Sequence, residues 1–239
     1  TLQETYKHSL LGGVMHLPYG NVFPIGENTF LDLVIEGVGT KVLVAQLAQK
    51  YDTIGIDAVA MAVNDVIRSG SKPLSIADNI HAQASEPSLV NAWLKGIIQG
   101  AHESECPVTG GETGDVAELI KGLTENAGFD MVVASVGRVE RKEIITGENI
   151  NPGDPIIGLA SSGLHSNAIT FARKILFKQW GGKYLPNDIP EGLDREVVLE
   201  VLEPTKIYVK PVLKLACEVK VKAAVHITGD AYLKFNNLA

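Results

Sequence analysis

Cysteine is nearly absent: the 239 residues hold two, Cys106 and Cys217. They lie far apart and outside any metal-ligand spacing, which argues against a disulfide framework and a zinc site and fits a reducing, cytoplasmic setting. Neither has a base beside it in sequence, so neither reads as a nucleophile. Basic residues are also few, with 21 Lys and Arg against 28 Asp and Glu and a net charge of −7. Without clustered positive charge, nucleic acid is not an expected partner. Anions can still bind where backbone N–H groups, a lysine or a metal face them. No apolar run approaches membrane-spanning length, and no signal-peptide pattern opens the chain. It starts Thr1-Leu2-Gln3 without Met, so the expectation is that residues are missing before it. Internal repeats and low-complexity tracts are lacking too.

Hydrophobic residues make up 45% and charged residues 21%, ordinary values for a globular chain long enough to bury a real core. Residues 1–28, rich in Gly, Pro and polar side chains, read as irregular. Residues 30–35 alternate as a strand and run into a tight loop at 36–41. Residues 42–50 read as a helix and 54–56 as a connection. Asp57 is expected to N-cap a helix over 58–69 that Gly70 stops. Residues 74–83 and 131–139 read as strands, and 87–105 as an amphipathic helix with Trp93 in its core face. Asn151-Pro152-Gly153-Asp154 marks a turn and a boundary between residues 1–150 and 151–239. Beyond it, 155–160 and 223–227 read as strands, and 168–178, 191–202 and 206–218 as helices. Strands and helices interleave, so the fold class is mixed α/β. The second domain has few strands by residue 239, which raises the expectation of a truncated C-terminus.

Five segments could carry chemistry. Glu36-Gly37-Val38-Gly39-Thr40-Lys41 joins a strand to a helix. Its glycines free N–H groups to face a phosphate, the helix start adds partial positive charge, Lys41 offers a cation and Glu36 a carboxylate for magnesium. It matches neither Walker A nor the dinucleotide fingerprint. Asp57, Asn64 and Asp65 follow on one helix, where eight residues is just over two turns; they suit a metal–triphosphate site or, equally, a helix cap with a solvated face. Thr109-Gly110-Gly111-Glu112-Thr113-Gly114-Asp115 suits a metal–nucleotide loop or a surface turn. Ser161-Ser162-Gly163-Leu164-His165-Ser166-Asn167 sits between strand and helix. It could cradle a phosphate or an oxyanion, with His165 as acid, base or positioner. His226-Ile227-Thr228-Gly229-Asp230 ends the last strand, and His226 reads equally as a core residue.

These segments, in this order and together with Leu202-Glu203-Pro204-Thr205, resemble those of the phosphoribosylformylglycinamidine cyclo-ligases, also called aminoimidazole ribonucleotide synthetases. The resemblance runs from Phe30 to the last strand. It implies a two-domain synthetase fold in which residues 1–150 form an ATP-binding and dimerisation domain, with two copies closing a shared β-barrel. Residues 151–239 would form an incomplete C-terminal α/β domain. It implies ATP-dependent ring closure of formylglycinamidine ribonucleotide in purine biosynthesis, with ADP and phosphate released and magnesium accompanying ATP. Catalytic roles fall by resemblance to His165, Lys41 and Asp65. ATP contacts fall to Gly37, Gly39, Thr40, Lys41, Asp57, Asn64, Gly110, Gly111, Glu112 and Thr113. Metal ligands would be Glu36, Asp57, Asp65 and Glu112, and the substrate would meet Ser161, Ser162, Gly163, His165, Ser166 and Asn167. Three departures stand out. Glu36 replaces a usual Asp, Asp230 and Ala231 replace two glycines, and Ala168 replaces a frequent Gly, which should firm the helix start. Selenophosphate synthetases and thiamine-monophosphate kinases share this architecture, although the former typically carry a reactive residue near their start, and no Cys precedes Cys106. A catalytically inactive dimeric binding paralogue is the reading from outside enzymology.

Overall fold

The structure, a computed structural model, describes residues 2–238; Thr1 and Ala239 lie outside the described residues. Six strands form one sheet: β1 (Met15–Leu17), β2 (Gly20–Pro24), β3 (Thr29–Gly37), β4 (Lys72–Ala82), β5 (Val108–Asp115) and β6 (Phe129–Glu140). Their order is β1-β2-β3-β6-β4-β5. Every pairing is antiparallel except β4 with β5. The helices are α1 (Lys41–Ala48), α2 (Ile54–Val66), α3 (Pro87–Ser104), α4 (Ile169–Leu176), α5 (Val197–Val201) and α6 (Val209–Glu218). The interleaved α/β class is as expected. The sheet of this chain is open, not a closed barrel.

One sheet face is covered. Ile76, Ile80, Phe129, Met131 and Val133 pack there against Val59, Ala62 and Val63 of α2, with Trp93 and Ile97 of α3 behind. Trp93 is fully buried, as its spacing predicts. The alternate residues face outward on the other side, where Leu33 and Ile35 are 63% and 70% exposed.

Four sequence readings are corrected. Residues 1–28 are not wholly irregular, because β1 and β2 form a hairpin that extends the sheet beside β3 and buries Val22. Its strands are too short for periodicity to reveal. Residues 54–56 are the first turn of α2, not a connection, so Asp57 lies inside the helix and Thr53 takes the N-cap position. Gly55, inside that first turn, is there for packing. A Cβ on it would lie 2.3 Å from the Ile97 backbone nitrogen of α3. Residues 109–115 are not a loop but most of β5. Three glycines hide the strand, which joins β4 in parallel through the α3 crossover. Residues 155–160 and 223–227 join no ladder among the described residues, and Ile156 is left 84% exposed. A strand needs a partner's backbone, and apolar composition cannot supply one. Helices α4, α5 and α6 are shorter than expected at their ends.

A smaller correction concerns Ala168, the residue before α4. It adopts φ 58°, in the left-handed region. Alanine therefore strains the helix start instead of firming it. Ala168→Gly should raise stability by on the order of 1 kcal/mol, read as a higher urea midpoint with an unchanged slope.

Candidate functional site

Helix α2 carries a stripe at helical spacing, Asp57, Met61, Asn64 and Asp65, continued by Arg68 in the 3-10 turn just past its end, which faces the C-terminal part of the chain. The Asp57 Oδ1 oxygen accepts four donors. They are Lys41 Nζ at 2.8 Å, the Thr205 backbone N–H at 2.8 Å, Thr205 Oγ1 at 2.6 Å and Ser166 Oγ at 3.0 Å. Lys41 Nζ also donates to the Glu203 carbonyl at 2.6 Å. Both side chains of the Lys41–Asp57 pair are wholly buried. Burial pulls the Lys41 pKa down, against the pull of Asp57 in the other direction. One turn along, Asn167 Nδ2 lies 3.6 Å from Met61 Sδ. Asn64 then clamps the backbone of 206–208, its amide donating to the Lys206 carbonyl at 2.8 Å and accepting from the Tyr208 N–H at 2.9 Å.

Further along the stripe, Asp65 meets Arg68 at 2.9 Å and His226 Nδ1 at 2.6 Å. Burial raises the Asp65 pKa, but the His226 hydrogen bond and Arg68 outweigh it, so the carboxyl stays below its ordinary range. Glu36 lies beside it, its pKa raised by burial first and then by the Asp65 charge and hydrogen bond. Asp32 on β3 is buried and accepts from Ser69 Oγ at 2.7 Å. Burial raises its pKa to about 6.

The glycine-rich turn and the His165 loop are neighbours. Thr40 Oγ1 and Thr170 Oγ1 are 2.7 Å apart, which ties the start of α1 to the start of α4. Gly39 takes φ 65°, and the turn leads into the N-terminus of α1. In the loop, Ser162 Oγ donates to the Pro204 carbonyl at 2.5 Å. The His165 ring stands against Ser162 with φ 55°. Burial, and then Lys41, lower the His165 pKa, which leaves the imidazole neutral at neutral pH. Ser161 is exposed, and Gly163 packs on Glu203.

Gly110, Gly111, Glu112 and Thr113 lie apart from this assembly. Across the sheet, Glu36 pairs with Val133, Val133 with Asp78, and Asp78 with Gly111. Gly111 is thus three strands from Glu36, about 14 Å. Glu112 is one residue further on, so it points to the open face, away from α2. Its register partners are Asn79 and, beyond it, Val132. Within one chain, Glu112 shares no cavity with Asp57 or Asp65. Asp78, unremarked in the sequence, does face the covered side. Its carboxylate is where a Cβ on Gly111 would intrude, at 2.4 Å, and burial raises its pKa. An isolated acid within an apolar strand is the signal that could have found it. His226 and Thr205 lie in segments that the sequence singles out, but their partners Asp65 and Asp57, and the contact of Arg68 with Asp65, emerge only in the folded chain.

Fold and site together define a two-part α/β protein: a mixed six-stranded sheet backed by helices, with a second segment docked along α2 through buried polar contacts. The family model described as "AIR synthase related protein, N-terminal domain" matches residues 20–139, and that described as "AIR synthase related protein, C-terminal domain" matches residues 151–233. The chain belongs to the AIR synthase related family. It is 39% identical over 237 residues to a phosphoribosylformylglycinamidine cyclo-ligase of Bacillus cereus (strain AH187), covering 98% of this chain and 66% of the relative. It is 41% identical over 212 residues to the protein of the same name in Pyrococcus horikoshii, covering 89% of this chain and 60% of the relative. The chain thus spans just under two thirds of the length of these relatives. Among solved structures, T. maritima PurL complexed with FGAR matches with a TM-score of 0.60 at 16% identity, over 89% of this chain and 31% of that one. Thiamine monophosphate kinase from Aquifex aeolicus matches with a TM-score of 0.51 at 20% identity, over 89% and 64%. At these identities the likeness is one of fold.

Removing one member of a buried ion pair leaves the other uncompensated, at a cost of about 3–5 kcal/mol. Lys41→Met and Asp57→Leu should each destabilise the protein by that order in urea unfolding. The double variant should cost less than the sum of the two. Additive losses would show that the pair is not coupled.

Proposed function

We propose that this chain catalyses the ATP-dependent closure of formylglycinamidine ribonucleotide to aminoimidazole ribonucleotide, releasing ADP and phosphate, in purine biosynthesis. The reading rests on one observation above others: the glycine-rich turn and the His165 loop are pinned side by side through Asp57. The names of the cyclo-ligase relatives support the same reaction. An amide-type oxygen leaves poorly until ATP phosphorylates it. The neighbouring nitrogen then attacks the same carbon, and phosphate departs as the ring closes. The protein must therefore hold a triphosphate beside a second small molecule.

The turn at 37–40 offers N–H groups at the start of α1 to phosphate oxygens. Ser161, Ser162, His165 and Asn167 form the substrate side. Lys41 and Asp57 take a different role from the one their sequence context suggests. Enclosed and bonded to each other through Asp57 Oδ1, they align the two loops, while Asp57 Oδ2 is buried without a hydrogen-bond partner. The two units meet near residue 151, in a cytoplasmic enzyme.

Magnesium would accompany ATP. Among the described residues, no group of three or more His, Cys, Asp or Glu is arranged to hold a metal ion. Asp57 Oδ1 is saturated by four donors, which leaves only the unpartnered Oδ2 of that carboxylate; Asp65 is engaged by Arg68 and His226, and Glu112 faces away. The four carboxylates do not form a cage in this chain.

The open sheet face supports a homodimer in which two copies cover Leu33 and Ile35 and bring in Glu112 from β5. No helix among the described residues is long and apolar enough to cross a membrane.

Incubating the protein with ATP and formylglycinamidine ribonucleotide should release ADP only when both are present. ADP release without the ribonucleotide, or none at all, would refute the assignment. Sedimentation at micromolar concentration should show a dimer that Leu33→Lys combined with Ile35→Lys converts to a monomer. A monomeric parent chain would remove the dimer.

A further inference from the structure

The two ring nitrogens of His165 sit in different company. Two backbone amides converge on Nε2, with the Ser162 N–H at 3.2 Å and the Lys206 N–H at 3.4 Å. A backbone amide nitrogen only donates, so both contacts require a lone pair on Nε2. The Ser162 hydroxyl, 3.1 Å from Nε2 and 2.5 Å from the Pro204 carbonyl, has one proton for these two contacts and does not choose the tautomer; the two backbone amides do. A proton on Nε2 would be set against two N–H groups that the backbone cannot turn away. Nδ1 carries no hydrogen bond among the described residues.

We infer that His165 is locked as the neutral tautomer protonated on Nδ1 and acts as a hydrogen-bond donor from that atom to a substrate or phosphoryl oxygen, not as the base that removes a proton.

Three further features agree. The residue is held at φ 55°, a conformation seldom adopted outside glycine and associated with functional positions. The ring is half-buried, and the charged groups facing it are Lys41 and Asp57 from the sheet-bearing half and His226 and Lys206 from the C-terminal segment. Burial and Lys41 both disfavour the imidazolium. The loop thus presents a fixed neutral donor, the form that stabilises negative charge growing on an oxygen without itself changing protonation. The identity of that oxygen rests on the cyclo-ligase reading, whereas the tautomer does not.

The experiment has two arms on the whole chain. Long-range 1H–15N correlation spectra of ring-labelled protein at neutral pH, with His165→Gln used for assignment, should show Nδ1 protonated and Nε2 bare. Protonation on Nε2, or on both nitrogens, overturns the inference. In turnover assays, the amide nitrogen of Asn overlays Nδ1, whereas that of Gln overlays Nε2. His165→Gln should lose about 10²-fold in kcat, the size of effect seen when one oxyanion donor is removed. His165→Asn should keep roughly tenfold more activity than His165→Gln, with the KM for ATP unchanged. Equal losses, or the reverse order, would overturn the donor role. If the parent protein shows no turnover, the cyclo-ligase reading and the donor role fall together, while the spectra still decide the tautomer.

Discussion

Everything in the site depends on one carboxylate oxygen. Asp57 Oδ1 receives Lys41, Ser166 and two donors from Thr205, three pieces of chain that are distant in sequence. Lys41 opens α1 directly after the glycine-rich turn, Ser166 belongs to the His165 loop, and Thr205 anchors the stretch that closes over α2. An ion pair buried this completely is weak evidence for stability, since desolvation consumes most of the Coulombic gain. Its value lies in register. Charge-assisted bonds in a dry setting tolerate little displacement, so the turn and the loop are held at a fixed separation. Asn64 extends the same device along α2 by imitating a strand partner for residues 206–208.

That arrangement explains what could and could not be read in the sequence. Strands β3, β4 and β6 and helix α3 announce themselves because each buries one face, and periodicity reports one-sided burial. Strand β5 does not, because its glycines have no side chains with which to show a period. Gly55 conceals the start of α2 in a similar way, where a close helix crossing excludes any side chain. The spacing of Asp57, Asn64 and Asp65 was legible, and it correctly placed them on one helix face. What that face meets was not. A polar stripe looks the same in sequence whether it fronts a metal, water or the other half of the chain. Lys41 carries the same ambiguity, because a lysine after a glycine-rich turn suits a phosphate as well as it suits an aspartate sixteen residues away.

The two-residue period of a strand separates candidates that composition groups together. Glu112 and its neighbour Gly111 look like one motif, yet they fall on opposite faces of the sheet. Gly111 meets Asp78 on the covered side, where the glycine leaves room for that carboxylate. Glu112 meets Asn79 on the open side, the face on which Leu33 and Ile35 project from β3. The sheet therefore separates that acid from the α2 carboxylates within one chain.

Glu36 takes its meaning from the same electrostatics. Asp65 is already neutralised by Arg68 and His226, which hold it ionised despite its burial. A second carboxylate alongside would repel it, and the longer Glu36 side chain instead leans on Asp65 through a hydrogen bond that favours its own protonated form. The pair therefore carries less negative charge than two free acids would. A cation placed between them would reverse this balance by favouring ionisation of Glu36.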